Sequence, residues 1–234
     1  MSTTNILTRH PAVAALPVAD GADLTKHTTL RRLVRGEALW RAGEEAALFV
    51  VVGHGLVKEA LPGRSLRVVT SFLCGPGEAP GLVDLLAGSP PLRETDAFAL
   101  TEPAVVASIP FDLLRGALEK NGPAALQVAR EAARHATRAR RGLLLAQCPA
   151  EERIAAEILD LGDRFGDEME DGSVLIPLRL TRADLASLCS TTVETTIRTL
   201  SRLDRDGVVS TVDGGLAVHD IEALRRRACL APRT

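Results

Sequence analysis

The sequence predicts an α+β chain: a β-rich N-terminal part of jelly-roll-like type, one long central helix, and a helical C-terminal part closed by a β-hairpin. Three observations predict it. Between 33 and 109, short apolar runs alternate with glycine turns, the texture of a small barrel or double-sheet roll. Between 121 and 147, Gly122 and Pro123 suit a first helical turn, and no glycine or proline follows until Gly142. Between 180 and 203, the run LTRADLASLCSTTVETTIRTLSRL reads as two short helices separated by small hydroxylated residues.

Composition bounds the rest. The chain has 234 residues, 46% hydrophobic and 25% charged, which are globular values. Its net charge of −2 announces no polyanionic partner. Positions 150–234 even carry 16 Asp or Glu against 11 Arg. Six of those acids crowd between 160 and 171, with only Arg164 among them. If that run is turned away, Arg179, Arg182, Arg198, Arg202 and Arg205 leave a locally positive field. The four cysteines, Cys74, Cys148, Cys189 and Cys229, have no zinc-type spacing. No secretory signal and no run of about 18 apolar residues is present. The expectation is a cytoplasmic chain with no membrane segment and no disulfides.

Residues 1–30 form a leader in which His10 and His27 are expected at the surface. The β-rich domain is expected over 31–120. Leu48 to Val52 in sequence, Leu66-Arg67-Val68-Val69, and Val105-Val106-Ala107-Ser108-Ile109 are its clearest strand runs. Gly36, Gly43, Gly53, Gly55, Gly63, Gly75, Gly77, Gly81 and Gly88 punctuate it. In the helix expected over 121–148, Leu126, Ala129, Ala133, Ala136, Arg140 and Leu143 recur at spacings of three and four, a coiled-coil seam. A competing stripe runs through Val128, Ala132, His135, Ala139, Gly142 and Ala146. Arg130, Arg134, Arg138, Arg140 and Arg141 read as a solvated face paired with Glu131, or as a bed for an anion. Cys148-Pro149 breaks the helix, because proline cannot continue it.

The C-terminal domain is expected over 149–234. It opens with an amphipathic helix over 151–165, whose apolar face is Ile154, Ala155, Ile158, Leu159 and Leu161. An acidic loop and a short strand at 174–178 follow. Thr181 with Asp184 marks a helix start. Thr191 or Thr192 caps the next helix, whose Thr196, Leu200 and Leu203 share one face while Glu194 and Arg198 share another. Gly207 stops it. Val208 and Val209, then Leu216, Ala217 and Val218, flank the turn signal Asp213-Gly214-Gly215, and a last helix starts near Asp220. Helix, turn, helix, hairpin, helix is the order of a winged helix-turn-helix.

On these residues the chain resembles the Crp/Fnr family of bacterial transcription regulators. The matching core is Leu180-Thr181-Arg182, Asp184-Leu185-Ala186, Val193-Glu194-Thr195, Arg198, Leu200 and Gly207. In the β-rich domain, Gly36, Gly43-Glu44, Gly53 or Gly55, and Pro76-Gly77-Glu78 with Gly81 resemble the cyclic-nucleotide-binding roll. The resemblance implies a fold of three parts: a double-stranded β-helix sensor domain, a dimerisation helix along the Leu126 to Leu143 seam, and a DNA-binding winged helix-turn-helix. It implies a homodimer on double-stranded DNA, with RNA polymerase as a further partner. Val193, Glu194, Ile197 and Arg198 would read bases. Arg179, Arg182, Thr192 and Arg202 would hold phosphates. Glu194 and Arg198 resemble the Fnr-type head, which implies a TGA-like core in each half-site.

The effector pocket is expected around Gly81, Leu82, Arg93 and Thr95. Its phosphate chemistry departs from the cyclic-AMP-binding members. Leu82 stands where they have a glutamate, and Thr95-Asp96 where they have an arginine and a hydroxyl residue. Arg93 comes two positions early, beside Glu94, and Ser89-Pro90-Pro91 lengthens the segment. The effector is therefore expected not to be cyclic AMP, and its identity is open. No cysteine precedes Cys74, so no Fnr-type iron–sulfur cluster is expected; haem or a reactive cysteine is the alternative mode of sensing. An enzyme using Cys74 as nucleophile would need a neighbouring base, and the sequence identifies none, so the chain is not expected to be an enzyme.

Overall fold

The computed structural model describes residues 6–61, 69–87 and 92–229. Part of the strand run at 66–69, Gly63, Gly88 and the Ser89-Pro90-Pro91 segment fall outside them. The chain divides into two compact units, 1–139 and 140–234. The division falls within the long helix, ahead of the Cys148-Pro149 break.

The first unit opens with short helices α1 (Pro11–Ala14) and α2 (Val18–Lys26), then a roll of two antiparallel sheets. One sheet has the order β1 (Thr29–Leu33), β7 (Ala104–Pro110), β3 (Leu48–His54). The other has the order β2 (Ala38–Trp40), β6 (Asp96–Ala99), β4 (Val57–Leu61), β5 (Val69–Cys74). The unbroken apolar run in β3 is explained by burial on both faces. Side chains alternate along a strand, so Val50 and Val52 enter the roll interior with Leu33, Trp40, Val57, Ala97 and Val106. Phe49 and Val51 point the other way, into a second core with Ile6, Leu7, Leu82, Leu114 and Val128. Each such side chain, fully buried, contributes about 1.5–3 kcal/mol. Helices α3 (Leu82–Ala87), α4 (Phe111–Leu118) and the long α5 (Gly122–Leu145) supply that second core.

His10 departs from its expected surface place. It is fully buried against Phe49, with ring centroids 5.0 Å apart, and its Nε2 lies 2.7 Å from Glu131 Oε2. Its Nδ1 accepts the N–H of Ala12, so Nε2 carries the ring proton toward the carboxylate. Glu131 is thus held by His10 and, at 3.9 Å, by His135 rather than by the arginines. Burial alone would raise the Glu131 pKa, but the hydrogen bond and charge of His10 and the charge of His135 turn the net shift downward. His27 is exposed, as expected.

This inward anchoring also sorts the two stripes over the first half of α5; beyond it, Ala139, Gly142 and Ala146 are exposed. Val128 and His135 face the roll, His135 stacking on Phe72 at 4.0 Å. Leu126, Ala129, Ala133, Ala136, Arg140 and Leu143 are left exposed, Leu143 at 73%.

The second unit carries α6 (Ala150–Phe165), α7 (Arg182–Leu188), α8 (Val193–Arg205) and α9 (Ile221–Arg227). Its sheet has the order β10 (Val209–Val212), β11 (Gly215–Val218), β9 (Val174–Ile176), β8 (Asp167–Glu168). Ile154, Ile158, Leu161, Ile176, Leu200, Leu203 and Leu224 are buried here. The acidic stretch read as a loop contains the edge strand β8, paired with β9. The expectation of no disulfide is overturned: Cys148 and Cys229 are bonded. Their spacing of 81 residues gave no local sign of it.

Candidate nucleic-acid interface

Thr181 caps α7 through a reciprocal pair. Its hydroxyl accepts from Asp184 N at 3.1 Å, and its own N–H donates to Asp184 Oδ2 at 2.9 Å. Such a cap is worth about 1 kcal/mol. The turn after α7 puts Ser190 at φ +49°, and Thr191 N donates back to Ala186 O. Thr192, not Thr191, caps α8, accepting from Thr195 N at 3.1 Å.

The residue that fixes this turn was not among those expected from the sequence. Arg153, on α6, donates to the carbonyls of Cys189 (2.9 Å), Ser190 (3.2 Å) and Cys148 (2.8 Å). One guanidinium thus ties the helix-turn-helix to the start of α6. An arginine on the first turn of an otherwise ordinary amphipathic helix gave no signal of that role.

Helix α8 is strongly two-faced. Thr196, Thr199, Leu200 and Leu203 are buried, while Val193, Glu194, Ile197 and Arg198 are exposed. Ile197, at 48% exposure, points to solvent rather than into the core. A helix in a major groove reads bases with exposed residues near its N-terminus. Here that surface offers one acceptor, one bidentate donor and two apolar contacts for thymine methyls.

Around it, Arg182 donates to Thr211 Oγ1 at 2.7 Å, joining α7 to the wing. Arg179 lies 3.7 Å from Asp213 at the wing tip, both strongly exposed. Thr192 is exposed beside Val193. Arg202 is half exposed and paired with Glu151 at 2.6 Å, an interaction a phosphate would have to displace. The wing turn needs its glycines: Gly214 sits at φ +92°, and a Cβ on Gly215 would strike the Ile176 carbonyl. Part of the acidic run sits away from β10. Asp167 and Glu168 are on β8, at the opposite edge of the sheet from β10. Asp160 is neutralised by Arg164 at 3.3 Å and Arg141 at 3.6 Å.

In the first unit, three of the four residues expected in an effector pocket, Gly81, Arg93 and Thr95, lie together beside a buried carboxylate, while Leu82 packs into the second core. Glu59, buried on β4, accepts from Gly81 N at 2.9 Å and Thr95 Oγ1 at 3.1 Å. Arg93 donates to the carbonyls of Gly81 (3.0 Å) and Leu48 (2.7 Å) and lies 3.9 Å from Asp84. Its guanidinium stacks on Trp40 at 3.9 Å. Leu82 is fully buried. Gly81 sits at φ +64°, and a Cβ there would collide with Arg93 and Trp40. Desolvation pushes the Glu59 and Asp84 pKa values up and that of Arg93 down. The glycine N–H and the arginine are thus already engaged by internal partners.

The Crp-like helix-turn-helix domain model matches residues 152–227. The nitrogen fixation regulation protein FixK of Bradyrhizobium diazoefficiens is 33% identical over 85 residues, an alignment that spans 35% of this chain and 35% of that relative. A CRP-like cAMP-activated global transcriptional regulator of Mycobacterium tuberculosis is 26% identical over 210 residues, 88% of this chain and 91% of the relative. The solved structure of FixK2 from Bradyrhizobium japonicum shares the fold, with a TM-score of 0.76 at 21% identity over 87% of this chain and 98% of that one. The capped helices with their exposed face lie inside the matched domain, and the longer alignment runs through the roll and the long helix as well. Residues 152–227 thus match a Crp-like helix-turn-helix domain, and over most of its length the chain is similar to transcription regulators of the Crp/Fnr type.

Proposed function

We propose that the chain acts as a homodimer that reads an inverted repeat with a TGA-like core in each half-site. Val193, Glu194, Ile197 and Arg198 read bases, and Arg179, Arg182, Thr192 and Arg202 hold phosphates. The observation that carries the proposal is the exposed, mixed-chemistry N-terminal face of α8 on a doubly capped helix-turn-helix. Glu194 accepts from cytosine N4 and Arg198 donates to guanine O6 and N7. The exposed seam from Leu126 to Leu143 supports pairing of α5 with its copy. No helix among the described residues is long and apolar enough to cross a membrane. In this proposal the protein works on cytoplasmic DNA beside RNA polymerase.

Cyclic AMP is not the effector in this proposal. A nucleotide phosphate would have to displace the Glu59 carboxylate from Gly81 N–H and free Arg93 from Leu48, Gly81 and Trp40. Burying a phosphate beside Glu59 and Asp84 without a released cation is unfavourable. The Cys148–Cys229 bond favours a cysteine-based sensor as the second reading, with haem as its other branch.

Three measurements test the proposal. Fluorescence anisotropy on duplexes with one or two TGA half-sites, about one helical turn apart, is expected to show strong preference for two. Equal affinity for both duplexes contradicts a dimeric reader. Calorimetry with cyclic AMP is expected to show no binding that tightens DNA affinity. A visible spectrum without a Soret band excludes the haem branch.

A further inference from the structure

The reading of DNA makes no use of Cys148 and Cys229. They are bonded in the C-terminal unit with Cα atoms 6.5 Å apart, a separation usual for a disulfide. Both are partly exposed, whereas Cys74 and Cys189 are buried. Burial, the largest influence on it, pushes the Cys189 thiol well above its ordinary pKa. An oxidant in solution therefore meets the first pair before the other two. A regulator acting on DNA works in a reducing compartment, where disulfides are rare and those that form are usually redox-responsive.

The surroundings of the pair connect it to the reader. The Cys148 carbonyl is held at 2.8 Å by Arg153, the side chain that also holds Cys189 and Ser190 in the turn before α8. Cys229 follows α9, whose Arg227 pairs with Asp206, the C-cap of α8, at 2.8 Å. Both ends of the bond thus lead, through one side chain each, to the two ends of the recognition helix.

We propose that Cys148 and Cys229 form a reversible dithiol–disulfide site that responds to peroxide-class oxidants and sets the DNA affinity of the reader. One thiol attacks peroxide, giving a sulfenic acid and one water. The other thiol attacks that sulfur, forming the S–S bond and releasing the sulfenic oxygen as a second water with the remaining thiol proton. Two thiols and one peroxide become one disulfide and two waters. Exchange with a dithiol reverses the change. The bonded form holds the turn and the C-cap of α8 in the arrangement described, and so pre-organises the binding surface. The inference rests on the DNA-reading role proposed above.

The test uses the full-length protein first reduced with dithiothreitol and freed of it, then treated with hydrogen peroxide, then reduced again. Thiols are counted by maleimide mass shift, and affinity is read by anisotropy on the two-half-site duplex. Peroxide is expected to remove two of the four thiols and to yield a linked Cys148–Cys229 peptide. DNA affinity is expected to rise by at least about threefold and to return on reduction. Cys148→Ser and Cys229→Ser are each expected to bind like the reduced protein and not to respond. Retention of all four thiols, a different linked pair, or equal affinity in both redox states overturns the proposal. So does stoichiometric zinc in the reduced protein that is lost in Cys229→Ser, since Glu152 lies within 4.8 Å of both sulfurs and would complete a thiolate metal site instead. Thiol counting needs no DNA, so failure of the reduced protein to bind any duplex exposes the DNA-reading role separately.

Discussion

Replacing Arg93 with alanine tests whether the sensor cradle is held shut by its own residues. Arg93 is 4% exposed and Asp84 8%. The substitution leaves the Gly81 and Leu48 carbonyls without this donor, strips Asp84 of its cation, and removes the plate stacked on Trp40. Removing one partner of a buried ion pair costs about 3–5 kcal/mol. A chain of this size loses about 2–4 °C of Tm per kcal/mol, so the expected fall is roughly 6–20 °C. The loss is expected to shrink on acidification. Desolvation already raises the Asp84 pKa and Arg93 opposes that rise, so without Arg93 the carboxyl takes up a proton more readily. Differential scanning calorimetry at neutral pH and near pH 5 reads both effects. Arg93→Met keeps the apolar stem but not the donors, and is expected to recover only part of the loss. A fall of under about 2 °C for the alanine variant would show that Arg93 does not hold the cradle, because a side chain so embedded cannot be both structural and dispensable.

Arg198→Ala is expected to cost about 1–3 kcal/mol per half-site and to relax preference at one G·C pair; an unchanged base preference counts against its role. Arg182→Ala is expected to weaken binding to all duplexes alike and to reduce the salt slope by about one per subunit, so a sequence-selective effect would contradict a phosphate contact. His135 is held below its ordinary 6.5, mainly by burial. The stability this gives is complete above 6.5 and drains as pH falls through the lowered value. His135→Phe, which keeps the stack on Phe72, is expected to flatten that part of the stability–pH curve, and an unaltered curve would assign the acid sensitivity elsewhere. Arg140→Leu removes the charge from an exposed seam. Burying a leucine is worth about 1.5–3 kcal/mol, so dimer dissociation is expected to fall tenfold or more by sedimentation; no change would show that the seam is mis-phased.

The reader was legible in the sequence because its signals are local. Thr181 with Asp184, Thr192, Gly207 in the left-handed region and the Asp213-Gly214 turn each act within a few residues. The roll was legible as texture but not as pairing, since β1 and β3 both pair with the distant β7, and β2 with β6. Glu59 was missed because V-K-E-A-L looks like an ordinary exposed edge until Gly81 and Thr95 are brought to it. His10 and Glu131 meet only once the leader folds back on α5. Gly81, Arg93 and Thr95 lie close together, yet Glu59 and Trp40, which engage them, come from β4 and β2 and could not be read from spacing.

Selection of duplexes from a random library by the full-length protein decides whether it reads an inverted repeat as a dimer. Recovery of an inverted repeat with TGA-like cores about one helical turn apart, bound by two chains, is expected. Recovery of sequences without two-fold symmetry, or no enrichment at all, would contradict it.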